Sequence, residues 1–109
     1  MVKAGDIVIV DFPGAQGTKR RPAVVVSSGE YHQNRPDVIV GLLTSQTQVA
    51  IHPTDHILQD WQSAGLREPS AFRSYLITLH QSVALTTIGK VSDHDWPKIA
   101  ECLERAIAL

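Results

Sequence analysis

The sequence has a single cysteine, Cys102, so no disulfide can form within the chain. A small domain without such staples must be held by its apolar core, which suits a reducing cytoplasm. No window approaches the roughly 18 apolar residues of a membrane-spanning helix, and no membrane association is expected. The opening Met1-Val2-Lys3-Ala4-Gly5-Asp6 has no long apolar run after its lysine, so no secretory leader is expected. Excess charge of one sign is also missing. The formal net charge is −1 at pH 7, which argues against coating nucleic acid by bulk charge. G-x-x-x-x-G-K-[ST] and G-x-G-x-x-G patterns are absent, so nucleotide hydrolysis has no support. Ser27-Ser28-Gly29 lacks the G-x-S-x-G frame of a nucleophilic serine.

What is present is one domain's worth of apolar sequence. The 109 residues, 43% of them apolar, suffice for one modest core, and 1–109 is read as a single domain. Gly5–Phe12 is β-branched and apolar and reads as a strand. Pro13–Arg20, with two glycines, reads as a flexible loop. Arg21–Ser28 reads as a second strand, with Pro22 at its start because proline cannot donate to a ladder. A polar loop, Gly29–Asp37, leads to a third strand, Val38–Thr44. Val49–Ile51 reads as a short extended piece. Pro53-Thr54-Asp55 with Ile57, Leu58 and Trp61 at helical spacing, stopped by Gly65, predicts a short inserted helix. Ser74–Leu79 and Thr87–Val91 are further strands. Ser92 and Asp95 then have capping-box spacing, Pro97 sits in the first turn, and Trp96, Ile99, Leu103 and Ile107 recur on one face of a terminal helix. So few helices between strands exclude a parallel α/β sheet. The fold expected is mainly β (α+β): a small antiparallel barrel or curled sheet carrying a C-terminal helix.

Candidate chemistry gathers at strand ends. Lys19-Arg20-Arg21 is a local basic patch where a loop meets a buried strand. An arginine there is fixed at its base and free at its planar fork, which matches phosphate and can stabilise a charged phosphorus transition state. Thr44 and Ser45 end the third strand with hydroxyls. His80 closes a strand, where an imidazole can move protons near neutral pH. His52 and His56 are four apart, but Pro53 lies between them and no cysteine or third histidine is near, so no metal site is expected. His32 reads as a loop residue, and Cys102 as packed in the last helix.

Taken in order, Gly5-Asp6-Ile7-Val8, Arg21-Pro22-Ala23-Val24-Val25-Val26-Ser27, Val38–Gln46, Pro53-Thr54, Pro69-Ser70, Leu76–Leu79 and Ile88-Gly89-Lys90-Val91-Ser92 resemble the MazF/PemK toxins over essentially the whole chain. The resemblance implies an SH3-like barrel and a symmetric homodimer. It also implies metal-independent, sequence-selective cleavage of single-stranded RNA, with no cofactor and with a cognate antitoxin protein as partner. The substrate 2′-hydroxyl would attack its own phosphate, leaving 2′,3′-cyclic phosphate and 5′-hydroxyl ends. Arg21 and Thr44 would then be catalytic. Lys19, Arg20, Ser45, Gln46 and Gln81 would bind RNA. Some members carry Arg-x-Asp-Gln where this chain has Thr78-Leu79-His80-Gln81, and His80 is expected to take over proton transfer there. Two other readings share the fold: a CcdB-like toxin that binds gyrase without catalysis, and a weakened homologue kept as an interaction module.

Overall fold

The computed structural model describes residues 2–15, 17–83 and 86–108. Six strands form one antiparallel sheet in the order β4-β5-β3-β2-β1-β6. They are β1 (Asp6–Gly14), β2 (Gly17–Val25), β3 (Asp37–Thr44), β4 (Asp55–Ile57), β5 (Ala71–His80) and β6 (Thr86–Lys90). Two helices complete the fold, α1 (Gly29–Asn34) and α2 (Asp95–Ala106).

Period-two alternation explains why this sheet is buried on both faces. Ile7, Val24 and Leu43 point to one side, where Phe72, Leu58, Leu66 and the α2 residues Ile99 and Cys102 complete a core. Their neighbours Val8, Val10, Phe12, Ala23, Val25, Val38, Val40 and Leu42 form a second core on the other side. The near-continuous apolar runs of β1, β2 and β3 follow from this two-sided burial. Gly41 is required by the first core: a Cβ there would run into the Phe72 ring.

The sheet curls because its far edge meets the chain again. Gly65, at φ +93°, and Ala64 press against Ile88 and Gly89 of β6. A side chain at Gly65 or Gly89 would strike backbone of the other segment.

Three expectations are corrected. Residues 13–14 and 17–20 of the expected flexible loop are instead the arms of a β1–β2 hairpin, paired from Ile7–Val24 out to Gly14–Gly17, while Gln16 lies outside the described residues. Positive φ at Gly17 (+100°) accommodates the tight reversal. The inserted helix at 53–65 is absent: Asp55–Ile57 is instead strand β4, paired with β5, and turns follow it. Leu58 and Trp61 reach the core from those turns, so their helical spacing is incidental. A short helix lies in the expected loop 29–37 instead. There Ser28 caps α1, its Oγ accepting the Tyr31 N–H. Two smaller corrections follow. Val49, the first residue of the expected extended piece 49–51, ends a single 3-10 turn, Thr47–Val49, and Ile107 lies just past α2, 45% exposed.

Ser92 and Asp95 meet at the start of α2, whose N-cap residue, His94, makes no side-chain cap bond. Ser92 Oγ accepts the Asp95 N–H at 3.1 Å and donates to Asp60 Oδ2 at 2.6 Å. The fully buried Asp95 carboxylate turns away from the helix. It accepts the N–H groups of Gln59 and Asp60, each at 2.9 Å, and His56 Nε2–H at 2.8 Å. These bonds fasten α2 to β4 and the turn that replaced the expected helix. Burial opposes the charge, but the Gln59, His56 and Asp60 hydrogen bonds outweigh it and hold the Asp95 carboxyl below its ordinary 3.8.

Candidate RNA-cleavage site

Two grooves, each of about 470 Å³, open on either side of Arg21. β2 carries this arginine at the point where the hairpin arm enters the sheet, opposite Val10 of β1. The residue is half-buried. Among the described residues no carboxylate lies within 4.0 Å of its guanidinium. Arg20, next to it, leans towards Asp11 at 3.7 Å as an exposed pair, an interaction of little energy in water.

The first groove is walled by Ile9, Pro22, Leu43, Leu66 and Ile88 and rimmed by Arg20, Arg67, Glu68 and Ser45. The second groove brings Lys19, Arg21 and Arg73 together with Thr44, Gln46 and Tyr75, and no carboxylate lines it. Its floor is β3. The β2–β3 pairing ends with Ala23 opposite Leu42, and Arg21 and Thr44, each two residues beyond that pair, both line this groove. Thr44 is buried, and its Oγ1 accepts the Gln46 N–H at 3.2 Å. With that acceptor position used, the hydroxyl proton is free to be donated. The second groove therefore holds three cations and a hydroxyl donor, all suited to a bound phosphate.

Of the residues singled out in the sequence, Arg21, Thr44, Lys19 and Gln46 share this groove. Arg20 and Ser45 line the other. His80 and Gln81 are not brought to either. His80 pairs with Asp37 at the opposite end of β3 from Thr44. Seven residues of strand separate them, about 23 Å at the usual rise. His80 Nδ1 instead lies 2.7 Å from Ser82 Oγ and accepts the Ser82 N–H at 3.1 Å. The departure at Thr78–Gln81 thus lies away from the Arg21 groove within one chain.

Arg73 and Tyr75 escaped the sequence reading, which began that strand at Ser74. Both line the groove. An arginine and an aromatic two apart on a strand share a face, and that spacing was the available signal. Of the histidines, His32 is buried on α1 with Nε2 2.6 Å from Ser27 Oγ, which also accepts the Ile39 N–H. Ser27 is thereby occupied in joining β2, α1 and β3. Cys102 is buried, and burial pushes its thiol up.

No curated protein sequence matches the chain. Solved structures do. An endoribonuclease from a mycobacterial species, determined with its cognate antitoxin, is similar with a TM-score of 0.79 at 20% identity, covering 97% of this chain and 94% of that one. The MazE–MazF complex (form II) of Deinococcus radiodurans gives a TM-score of 0.73 at 18% identity, covering 99% and 96%. The Mycobacterium tuberculosis toxin MazF-mt6 gives 0.73 at 21%, covering 93% and 94%. At these identities the likeness shows a shared fold: a curled antiparallel sheet with a C-terminal helix. The family described as PemK-like, MazF-like toxin of type II toxin–antitoxin systems matches residues 3–107. By that match the chain belongs to the PemK/MazF-like toxin family.

Proposed function

We propose that this chain is the toxin of a type II toxin–antitoxin pair and a metal-independent endoribonuclease acting on single-stranded RNA. One observation carries the reading: Arg21, with no carboxylate partner among the described residues, shares a carboxylate-free groove with Thr44, Lys19 and Arg73.

In this reading the scissile phosphate sits between Arg21 and Thr44. The 2′-oxygen forms a bond to phosphorus and the bond to the 5′-oxygen breaks. The products are a 2′,3′-cyclic phosphate and a 5′-hydroxyl. The nucleophile comes from the substrate, so the protein need only hold the phosphate and stabilise the charge that builds on it. Arg21 offers its fork to the non-bridging oxygens, and Thr44 donates its hydroxyl proton to one of them. Lys19, Arg20, Ser45 and Gln46 line the path of the flanking nucleotides. The proton leaving the 2′-hydroxyl and the one reaching the 5′-oxygen travel through water. Within one chain His80 and Gln81 stand too far away to act, and we assign His80 no step.

The same proposal includes a homodimer of single-domain chains in the cytoplasm, where RNA substrate is found. It also includes an antitoxin whose acidic and apolar segment lies across Lys19-Arg20-Arg21 and blocks RNA entry. No described helix is long and apolar enough to cross a membrane. The test is incubation of the purified protein with a long unstructured RNA, with and without a chelator, followed by sequencing of the new 5′ ends. Cleavage at a short recurring sequence in both conditions supports the reading. Intact RNA, or cleavage only without chelator, refutes it.

A further inference from the structure

β5 departs from regular pairing beside the groove. Between the pairs Gly41–Leu76 and Leu43–Phe72, β3 advances by two residues and β5 by four. The extra length, Arg73-Ser74-Tyr75, stands opposite Leu42 as a bulge. The excess of β5 over β3 is an even number of residues, so Phe72 and Leu76 both stay with the first core and Arg73 and Tyr75 share the opposite face. Arg73 and Tyr75 are both exposed and both line the Arg21–Thr44 groove. Ser74 lies between them and anchors the bulge, its Oγ donating to the Thr54 carbonyl at 2.8 Å.

Tyr75 is held at two points. Its hydroxyl donates to the Pro13 carbonyl on the β1–β2 hairpin at 3.1 Å. Phe12 meets it edge-on, with ring centroids 5.6 Å apart and planes at 68°. Yet the residue stays 41% exposed. A large aromatic fixed by a hydrogen bond and a neighbouring ring, but left open to solvent in a cationic groove, is poorly explained as core packing. Its ordering entropy has already been spent on folding, so a base can stack on it without freezing a mobile side chain. Arg73 is its natural companion. Asp55 lies 4.0 Å from its Nε, which orients the guanidinium loosely and leaves it half exposed.

We propose that Tyr75 and Arg73 form a clamp for the nucleotide flanking the scissile phosphate, Tyr75 stacking its base and Arg73 holding its phosphate. This assignment rests on the endoribonuclease reading. It makes Tyr75 a positioning and specificity-determining residue, favouring whichever base stacks best between the bulge and the hairpin. Stacking platforms of this kind are the usual way proteins grip single strands.

The experiment first maps the cleavage site with the wild-type protein. It then measures binding of a matching oligoribonucleotide made uncleavable by 2′-O-methylation at the cleaved nucleotide. Tyr75→Ala should weaken binding by about 10-fold or more. Tyr75→Phe, which keeps the ring, should recover most of that loss. An abasic substitution at one flanking position should weaken wild-type binding similarly and add little further loss in Tyr75→Ala, because either change alone removes the stack. Arg73→Ala should reduce the slope of log affinity against log salt by about 0.7. If the wild type binds and cleaves, but Tyr75→Ala binds equally well or its loss is additive with every abasic substitution, the clamp is overturned while the endoribonuclease reading stands. If the wild type neither binds nor cleaves RNA, that reading fails and the clamp falls with it.

Discussion

Arg21 and Thr44 line one groove from neighbouring antiparallel strands, and the backbone N–H of Gln46 occupies an acceptor position on the threonine hydroxyl. The hydroxyl is therefore set to donate. Thr44→Ser should keep most of the cleavage rate, while Thr44→Val should lose roughly 10- to 100-fold, a little less than a main oxyanion donor. Single-turnover rates on one labelled oligonucleotide check this. Equal rates for threonine and valine would remove the hydroxyl from the reaction.

Asp95 ties α2 to β4 and its following turn through two backbone N–H groups and His56. Asp95→Ala should destabilise the fold by about 3 kcal/mol, because buried donors lose their acceptor. The carboxyl is held below its ordinary 3.8 in the folded protein. Its contribution is therefore present above that value and is lost as pH falls through the lower, folded one. Urea unfolding at pH 7 and near pH 3 should show wild type losing more stability on acidification than Asp95→Asn. Equal losses would contradict the account.

Much of the fold is legible because two-sided burial writes long apolar runs into β1, β2 and β3. The terminal helix announces itself through Ser92, Pro97 and the spacing of Trp96, Ile99 and Leu103. What escapes reading depends on partners far along the chain. Gly17-Thr18-Lys19 looks like a loop because it is polar, and it is a strand because Phe12–Gly14 pairs with it. Asp55–Ile57 looks helical because Leu58 and Trp61 follow at the right spacing. It is a strand because β5 pairs with it and Asp95 captures the N–H groups just beyond. The site divides in the same way. Arg21 opens the apolar stretch of β2 and Thr44 closes β3, positions that the apolar pattern marks, whereas Arg73 and Tyr75 share a face by their spacing but come to the groove only because β5 pairs beside β3, far along the chain.

Gly41 admits the Phe72 ring against the strand. Gly41→Ala should destabilise by about 1–3 kcal/mol, since an overpacked core must shift a ring with no room to move. Thermal unfolding measures it. An unchanged midpoint would show that Phe72 can be displaced freely.

His80 tests whether one chain's geometry governs the chemistry. It pairs with Asp37, at the far end of β3 from Thr44. The pH profile of single-turnover cleavage should keep its shape in His80→Ala. A profile that changes shape in this variant would instead bring His80 to the groove from the second copy of a dimer.

The central claim is that Arg21 stabilises the charge of a metal-free 2′-hydroxyl attack. Its most direct test is single-turnover cleavage of a labelled single-stranded RNA in chelator, comparing wild type, Arg21→Ala and Arg21→Lys, with chemical identification of the product ends. The account predicts 2′,3′-cyclic phosphate ends from the wild type and a loss on the order of 100-fold or more in Arg21→Ala. It also predicts poor recovery in Arg21→Lys, since an ammonium cannot reproduce the fork. Undiminished cleavage by Arg21→Ala, or 3′-hydroxyl ends from the wild type, would contradict it.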